Sequence, residues 1–463
     1  MNPKSPLRVI VIGGGLAGMA AAVALEEAGC AVTLIESRRT LGGRAGSFED
    51  PQLGIELDNC QHVLLGCCTN LIDFYRRTGA LKNIRFEPAI YFTDAAGRRF
   101  TLRGAAALPA PFHLAGALFQ SGWLTWSERR ALAAAMLAIM RLRSAELSGL
   151  ANQPFGDWLD HHHQPPSLLR KVYDPILISA LNEQTRAAAA SYAIQVLRES
   201  LLTNNRGNWI GLPTCPLGQL YASFTAKDVR TGTRAAAVRI ENGVAVGVDL
   251  QSGEFLAADA VVLAVHHANA LRQVPADLAA ADGRFVAMQQ LIDVPILGAH
   301  LWFDRPILDV SHTALIDGPL QWLFRKDETG SAVHGVISAA RDWLDIGRET
   351  AADQFAQQIC KTFPAARGAK LLRHTIVIEK RATFSPLPGS DTYRPQTSPP
   401  QAGGIQNLYL AGDYTQNAWP ATMEGAVRSG YLAAETILAA RGNPRKFLVP
   451  DLPPQWPARL LAR

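Results

Sequence analysis

The stretch that most constrains the fold is residues 7–44, LRVIVIGGGLAGMAAAVALEEAGCAVTLIESRRTLGGR. A β-branched run, Val9 to Ile12, feeds Gly13-Gly14-Gly15-Leu16-Ala17-Gly18. An Ala-rich, helix-forming segment follows, and a second apolar run, Val32 to Ile35, ends at Glu36. Strand, glycine turn, helix and strand in this order form a dinucleotide-binding unit. Gly13 permits the tight turn, Gly15 lets backbone approach a pyrophosphate, and Gly18 lets the helix sit close on the strand. Leu16 and Ala17 open the helix, so its first N–H groups face the phosphates with the helix dipole behind them. Glu36 follows Gly18 by 18 residues and is placed to hold a ribose hydroxyl. Alone, this unit serves NAD or FAD.

A length of 463 residues allows two or three domains' worth of core. The basic excess, 45 Lys and Arg against 40 Asp and Glu, is too dilute for a nucleic-acid protein. The six cysteines form no CxxC pair and no zinc spacing, so we read them as reduced thiols and expect no metal site. His161-His162-His163 adjoins Pro165-Pro166 and reads as a solvated loop. No apolar run reaches membrane-spanning length, and the glycine-rich start reads as structure, not as a signal peptide. The expected location is the cytoplasm, with peripheral contact to the inner membrane as an added expectation.

Further along, Tyr91–Thr93 and Arg99–Thr101 flank a turn and read as a hairpin. Thr125-x-x-Glu128 is a capping box opening a helix to about 142, with Leu132, Met136, Ile139 and Met140 on one face. That stripe reads as core, with a lipid-facing mouth as the other reading of the apolar 104–140 region. Glu241-Asn242-Gly243 marks a second hairpin, and Ala258–Ala264 a buried strand. Asn407–Asp413 is another buried strand ending in Gly412-Asp413, followed by a helix at about 422–440. That helix has two rows of small residues, Gly425/Ser429/Ala433 and Ala426/Gly430/Ala434, which suit close packing. The pattern predicts an α/β protein with a Rossmann-like nucleotide domain interleaved with a mixed α+β substrate domain. The expected bounds are 1–84, 205–275 and 401–440 for the first, and 85–204 and 276–400 for the second, with 441–463 a surface tail.

GGGLAG, Glu36 and Gly42-Gly43-Arg44 at the start, with LAGD and WPATMEGAVRSG at the end, resemble the amine oxidase and phytoene desaturase superfamily of FAD proteins. The resemblance covers nearly the whole chain. More narrowly, LDNCQHVLLGCCTNLIDFY (57–75), DPILISALNEQ (174–184), PILGAHLWFDRP (295–306) and GDYTQNAWPATMEGAVRSG (412–430) are similar to the hydroxysqualene dehydroxylase family. These are squalene-associated, desaturase-like flavoproteins of bacterial hopanoid pathways. The family pattern DNGQH has glycine where this chain has Cys60, which argues against a glycine-only backbone angle there.

The resemblance implies FAD, held noncovalently because 412–430 contains no Cys or His. It implies that Gly43 and Arg44 approach the pyrophosphate, that Ala235 offers backbone contacts to adenine, and that Gly412 and Asp413 hold ribityl or phosphate oxygens. Thr422 and Met423 would bring a helix N-terminus to the flavin's pyrimidine edge, where it stabilises the reduced state. Gln61 and His62 lie in a segment that runs beside the flavin in relatives. The implied reaction removes the allylic hydroxyl of hydroxysqualene, a long-chain isoprenoid, and draws on an unidentified electron donor. Hydroxide leaves poorly unless protonated, so His62 is the candidate general acid, with cofactor positioning as its other role. Trp419, Trp302 and Trp322 are candidates to line the hydrocarbon pocket. A carotenoid-type desaturase, a flavin amine oxidase and a noncatalytic prenyl-lipid carrier on the same fold remain as alternatives.

Overall fold

The computed structural model describes residues 6–51, 54–120 and 122–461. A five-stranded parallel sheet runs in the order Asp228–Arg230, Ala31–Ile35, Arg8–Ile12, Ala260–Leu263, Leu408–Leu410. Its strands read as unbroken apolar runs because both faces are covered. Val9, Val11, Val32 and Leu34 pack on one side with the helices Leu16–Glu27 and Met423–Ala440. Ile10, Ile12, Ile35 and Leu263 pack on the other with Ala235, Val238 and Val248. Those three belong to an antiparallel layer of Ala235–Glu241, Val244–Leu250 and Phe255–Ala257.

The two helices approach as the small-residue rows predict. A Cβ added at Gly430 would stand 2.2 Å from the Ala17 carbonyl oxygen. The helix Met423–Ala440 therefore lies directly on the first turn of the nucleotide helix. Of the local expectations, Ala89–Thr93 pairs with Arg99–Arg103, and Asn242 and Gly243 both take positive φ in the second hairpin. Thr125 and Glu128 form the capping box of the helix Trp126–Arg141. Leu132, Ile139 and Met140 are buried and Met136 is half-buried, so this stripe is core.

The second sheet is mixed, with seven strands ordered Leu371–Phe384, Asp293–Phe303, Ala332–Ile337, Trp322–Arg325, His312–Leu315, Ala89–Thr93, Arg99–Arg103. Alternation divides its faces. Leu297, Ala299, Leu301 and Phe303 pack on the helix Arg348–Thr362 through Phe355 and Ile359. On the opposite face, Trp322, Phe324 and Val336 join a large cluster with Leu177, Ile194 and Leu197 from the helical region. Ile296, Gly298, His300 and Trp302 share that second face.

The tail expected at the surface is tied to the body. Phe447 and Leu448 donate their N–H groups to Glu435, Val449 donates to Asn70 Oδ1, and the short helix Trp456–Leu461 buries Ala458. Residues 462 and 463 of that tail lie outside the described residues.

Candidate functional site

Gly13 turns the chain with φ +112°, donating its N–H to Ile35 O at 2.8 Å. A Cβ at Gly13 would meet Ala264 O at 2.5 Å, and one at Gly18 would meet Gly13 O at 1.9 Å. Protein packing demands both glycines. Gly15 differs, because a Cβ there would meet nothing within 4 Å. It caps the helix Leu16–Glu27 with no side-chain cap bond and no acid in the first turn. An open space thus adjoins an uncapped helix N-terminus, which fits a pyrophosphate. Gly42 closes the turn by donating to Gly14 O at 2.8 Å, and Gly43 sits so close that its Cβ would be 3.2 Å from Gly15 Cα. The Glu36 carboxylate accepts from the Gly14 N–H at 2.7 Å and the Arg38 N–H at 2.8 Å, which holds it at the strand's end. Thr233 donates to Glu36 O at 2.9 Å, bringing buried Ala235 to the same edge.

Arg44 donates to both Asp413 oxygens, at 2.6 and 3.1 Å, and to Ala382 O at 2.6 Å. Burial would raise the Asp413 carboxyl, but the Arg44 guanidinium outweighs it and holds the group below the ordinary carboxylate range. Gly412 donates its N–H to Ser429 Oγ at 2.8 Å. Buried Arg394 pins the following loop through the carbonyls of Asp413 and Thr415 and through Asn417 Oδ1. Asn417 in turn accepts the Trp419 N–H at 2.9 Å, and Arg428 lies 5.5 Å over the Trp419 ring. Thr422 Oγ1 accepts the Gly425 N–H at 3.1 Å and caps the helix that Met423 begins. Glu424 faces elsewhere, accepting from the Asn70 and Leu71 N–H groups at the start of the helix Thr69–Arg77.

Segment 58–62 crosses between this cluster and the second sheet. Asp58 pairs with Lys326 at 2.9 Å and accepts the Leu217 N–H at 2.8 Å, a structural role. Lys326 also reaches Gln61 Oε1 at 3.2 Å. Cys60 is not among the positive-φ residues, so no glycine is needed there, and burial pushes its thiol up to about 12. His62 Nδ1 lies 3.0 Å from Cys60 O. A carbonyl only accepts, so Nδ1 carries the proton and Nε2 is a bare lone pair. Burial draws the His62 pKa below its ordinary value. His300 Nε2 similarly donates to Asp58 O at 2.9 Å, and its ring lies 4.0 Å from that of His334.

The profile of the family described as flavin containing amine oxidoreductase matches residues 16–438. The chain belongs to this family. Flavin amine oxidoreductases are FAD enzymes, and the open, uncapped turn at Gly15 accommodates that cofactor. A hydroxysqualene dehydroxylase from Zymomonas mobilis is 29% identical over 93% of this chain and 98% of its own. A 15-cis-phytoene desaturase from Synechococcus elongatus is 25% identical over 94% and 96%. Among solved structures, a putrescine oxidase matches with TM-score 0.69 at 15% identity, covering 94% of this chain and 100% of its own. An oxidoreductase from Methanosarcina mazei matches with TM-score 0.68 at 17% identity, covering 92% and 99%.

Within this flavoprotein the structure gathers Gly13, Gly15, Leu16, Ala17, Gly18, Glu36, Gly43, Arg44, Gly412 and Asp413 around one turn. Trp302 and Trp322 share a sheet face, opposite Ala332 and Val336 respectively, and Trp322 is also anchored through Nε1 to Pro175 O at 3.1 Å. Sequence reading missed His300, Lys326 and His334. Period-2 alternation through Gly298, His300 and Trp302 would have placed His300 on the tryptophan face. It also missed His266, His267 and Asp293, which among the described residues have metal-ligand spacing. Each imidazole Nε2 lies 3.0 Å from Asp293 Oδ1, while His266 Nδ1 accepts the Ala268 N–H at 3.3 Å. The His266 proton is thus on Nε2, as a hydrogen bond to the carboxylate needs.

Glu36→Ala and Asp413→Ala should each weaken FAD binding by about 10–100-fold, the scale of losing a charged hydrogen-bond acceptor. Flavin absorbance per mole of purified protein checks this, and wild-type content in either variant would contradict the placement.

Proposed function

We propose that this chain reductively removes the allylic hydroxyl of hydroxysqualene to give squalene. The reading rests on the polar group His62, His300, His334 and Lys326 beside the cofactor turn, set against a sheet face of Trp302, Trp322 and Phe324. Lys326 and His300 are tied to Asp58, but a pure-hydrocarbon reaction has no use for the open Nε2 of His62 or the unpartnered His334. The 29%-identical dehydroxylase matched over 98% of its length supports the same reading. FAD would be held noncovalently by the turn at Gly13–Gly18, Glu36, Gly43, Arg44, Ala235, Asp413 and the helix at Thr422–Met423.

Bound reduced flavin supplies a hydride. The protein must see that the departing oxygen leaves as water, so a proton has to reach it as the C–O bond breaks. His62 has a free Nε2 that can carry that proton. Its lowered pKa keeps it neutral at neutral pH, so it donates only after protonation. Rate should therefore rise as pH falls through a value below His62's ordinary 6.5. The rival reading, desaturation of a polyene, draws on the phytoene desaturase matched over 96% of its length.

No helix among the described residues is long and apolar enough to cross a membrane. Leu108, Phe112, Phe119 and Trp126 are nevertheless exposed, Trp126 by 70% and Phe119 by 56%. Arg129 stacks over both Phe119 and Trp126, at 5.5 and 5.0 Å. Gln455 Oε1 accepts the Ala110 N–H at 2.6 Å, which carries the patch on to exposed Trp456 and Leu460. We read it as a peripheral membrane contact through which a water-insoluble substrate enters.

Dithionite-reduced protein given hydroxysqualene should yield squalene by gas chromatography, faster at pH 6 than at pH 8. His62→Ala should retain FAD, slow turnover about 100-fold and flatten the pH dependence. Full activity in that variant would remove His62 as the acid, and no squalene from wild type would overturn the reading. Trp126→Asp with Phe119→Asp should lower co-sedimentation with anionic vesicles several-fold, and unchanged binding would refute the membrane contact.

A further inference from the structure

On the apolar face of the seven-stranded sheet, His300 and His334 stand directly opposite one another in the antiparallel register. Phe324 is opposite His334 on its other side, and Trp302 and Trp322 lie on the neighbouring rungs. His300 is committed, since its Nε2 donates to Asp58 O. His334 is not. It is 0% exposed, and among the described residues neither Nδ1 nor Nε2 has a hydrogen-bond partner.

Leaving a buried imidazole unpaired is costly, so such a group calls for a ligand. The chain also makes room for the ring itself, by placing a glycine under it. A Cβ at Gly298 would come 2.8 Å from His334 Nε2, with Asn59 O next at 3.7 Å. Nε2 therefore lies over a glycine, beside the segment that continues to Cys60 and His62. His62, His300 and Lys326 are the groups whose charge bears on it.

We propose that His334, with His300 and His62 beside it, forms a hydroxyl-binding subsite that takes one alcohol oxygen of an otherwise hydrocarbon substrate. The proposal rests on the dehydroxylation reading above. A neutral imidazole offers one N–H donor and one lone pair, and an alcohol offers the complementary lone pairs and O–H. One alcohol oxygen bonds one of the two nitrogens, and a hydrocarbon of the same shape leaves that nitrogen unpaired, so the subsite discriminates by penalising the wrong ligand. Burial holds the His334 ring neutral, well below the ordinary histidine pKa. It therefore positions the oxygen, while the proton comes from elsewhere.

The test measures dissociation constants of hydroxysqualene and squalene for FAD-loaded, oxidised protein in detergent micelles, by tryptophan fluorescence. Wild type should prefer the alcohol by about 10–100-fold. His334→Phe should bring the two ligands within about twofold while keeping squalene affinity. His334→Gln, which keeps a donor and an acceptor, should retain most of the preference. Gly298→Ala, which crowds the ring without changing its chemistry, should reduce it. Equal affinities in wild type, or a full preference surviving in His334→Phe, overturns the proposal. If His334→Phe fails to load FAD, a full preference surviving in Gly298→Ala overturns it instead. Alcohol preference that depends on His334, without squalene formation by reduced enzyme, defeats the dehydroxylation reading and leaves the subsite standing. Squalene formation with a preference indifferent to His334 does the reverse.

Discussion

Arg44 and Asp413 are 369 residues apart, and the two-pronged ion pair between them organises the molecule. Arg44 ends the glycine-rich extension of the nucleotide turn, and Asp413 begins the loop that leads into the helix Met423–Ala440. The same guanidinium donates to Ala382 in the strand Leu371–Phe384, so nucleotide turn, closing loop and second sheet meet at one side chain. Removing Arg44 strands the buried Asp413 carboxylate, at about 3–5 kcal/mol. The close seat of Gly430 on Ala17 works in the same direction, because it locks the helix starting at Met423 against the helix starting at Leu16. Two helix N-termini are thus held in fixed relation to one another.

Around this node the two layers have different chemical characters. The parallel sheet presents backbone donors and the carboxylates of Glu36 and Asp413, the equipment for a phosphate- and ribose-bearing cofactor. The mixed sheet presents aromatic rings with a few imidazoles between them. Segment 58–62 joins the two: Asp58 is bound to Lys326, its carbonyl to His300, and His62 to the Cys60 carbonyl. The polar groups are thereby confined to one point of an apolar wall.

The nucleotide half was legible in the sequence because its constraints are local. Gly13, Gly18 and Glu36 act within a single βαβ unit, and the small rows of 425–434 announce close packing without reference to a partner. The hairpins and the Thr125 capping box are local in the same sense. The half built on the mixed sheet was not legible to the same degree. His300 and His334 meet only because two strands pair in one register, and neither strand carries a motif. Lys326 reaches Asp58 across 268 residues, a contact no spacing rule anticipates. Arg44 and Asp413 were each marked as cofactor contacts, but their mutual ion pair was not anticipated. Family likeness located Cys60 as a departure, and the ordinary backbone there shows that glycine is dispensable at that position.

The direction of electron flow is what separates a dehydroxylase from the desaturases that this chain also resembles. Anaerobic stopped-flow absorbance at the flavin band tests it directly. Reduced enzyme mixed with hydroxysqualene should regain the oxidised flavin spectrum, and oxidised enzyme mixed with phytoene should stay oxidised. Bleaching of the oxidised enzyme by phytoene, with reduced enzyme inert to hydroxysqualene, would contradict the account.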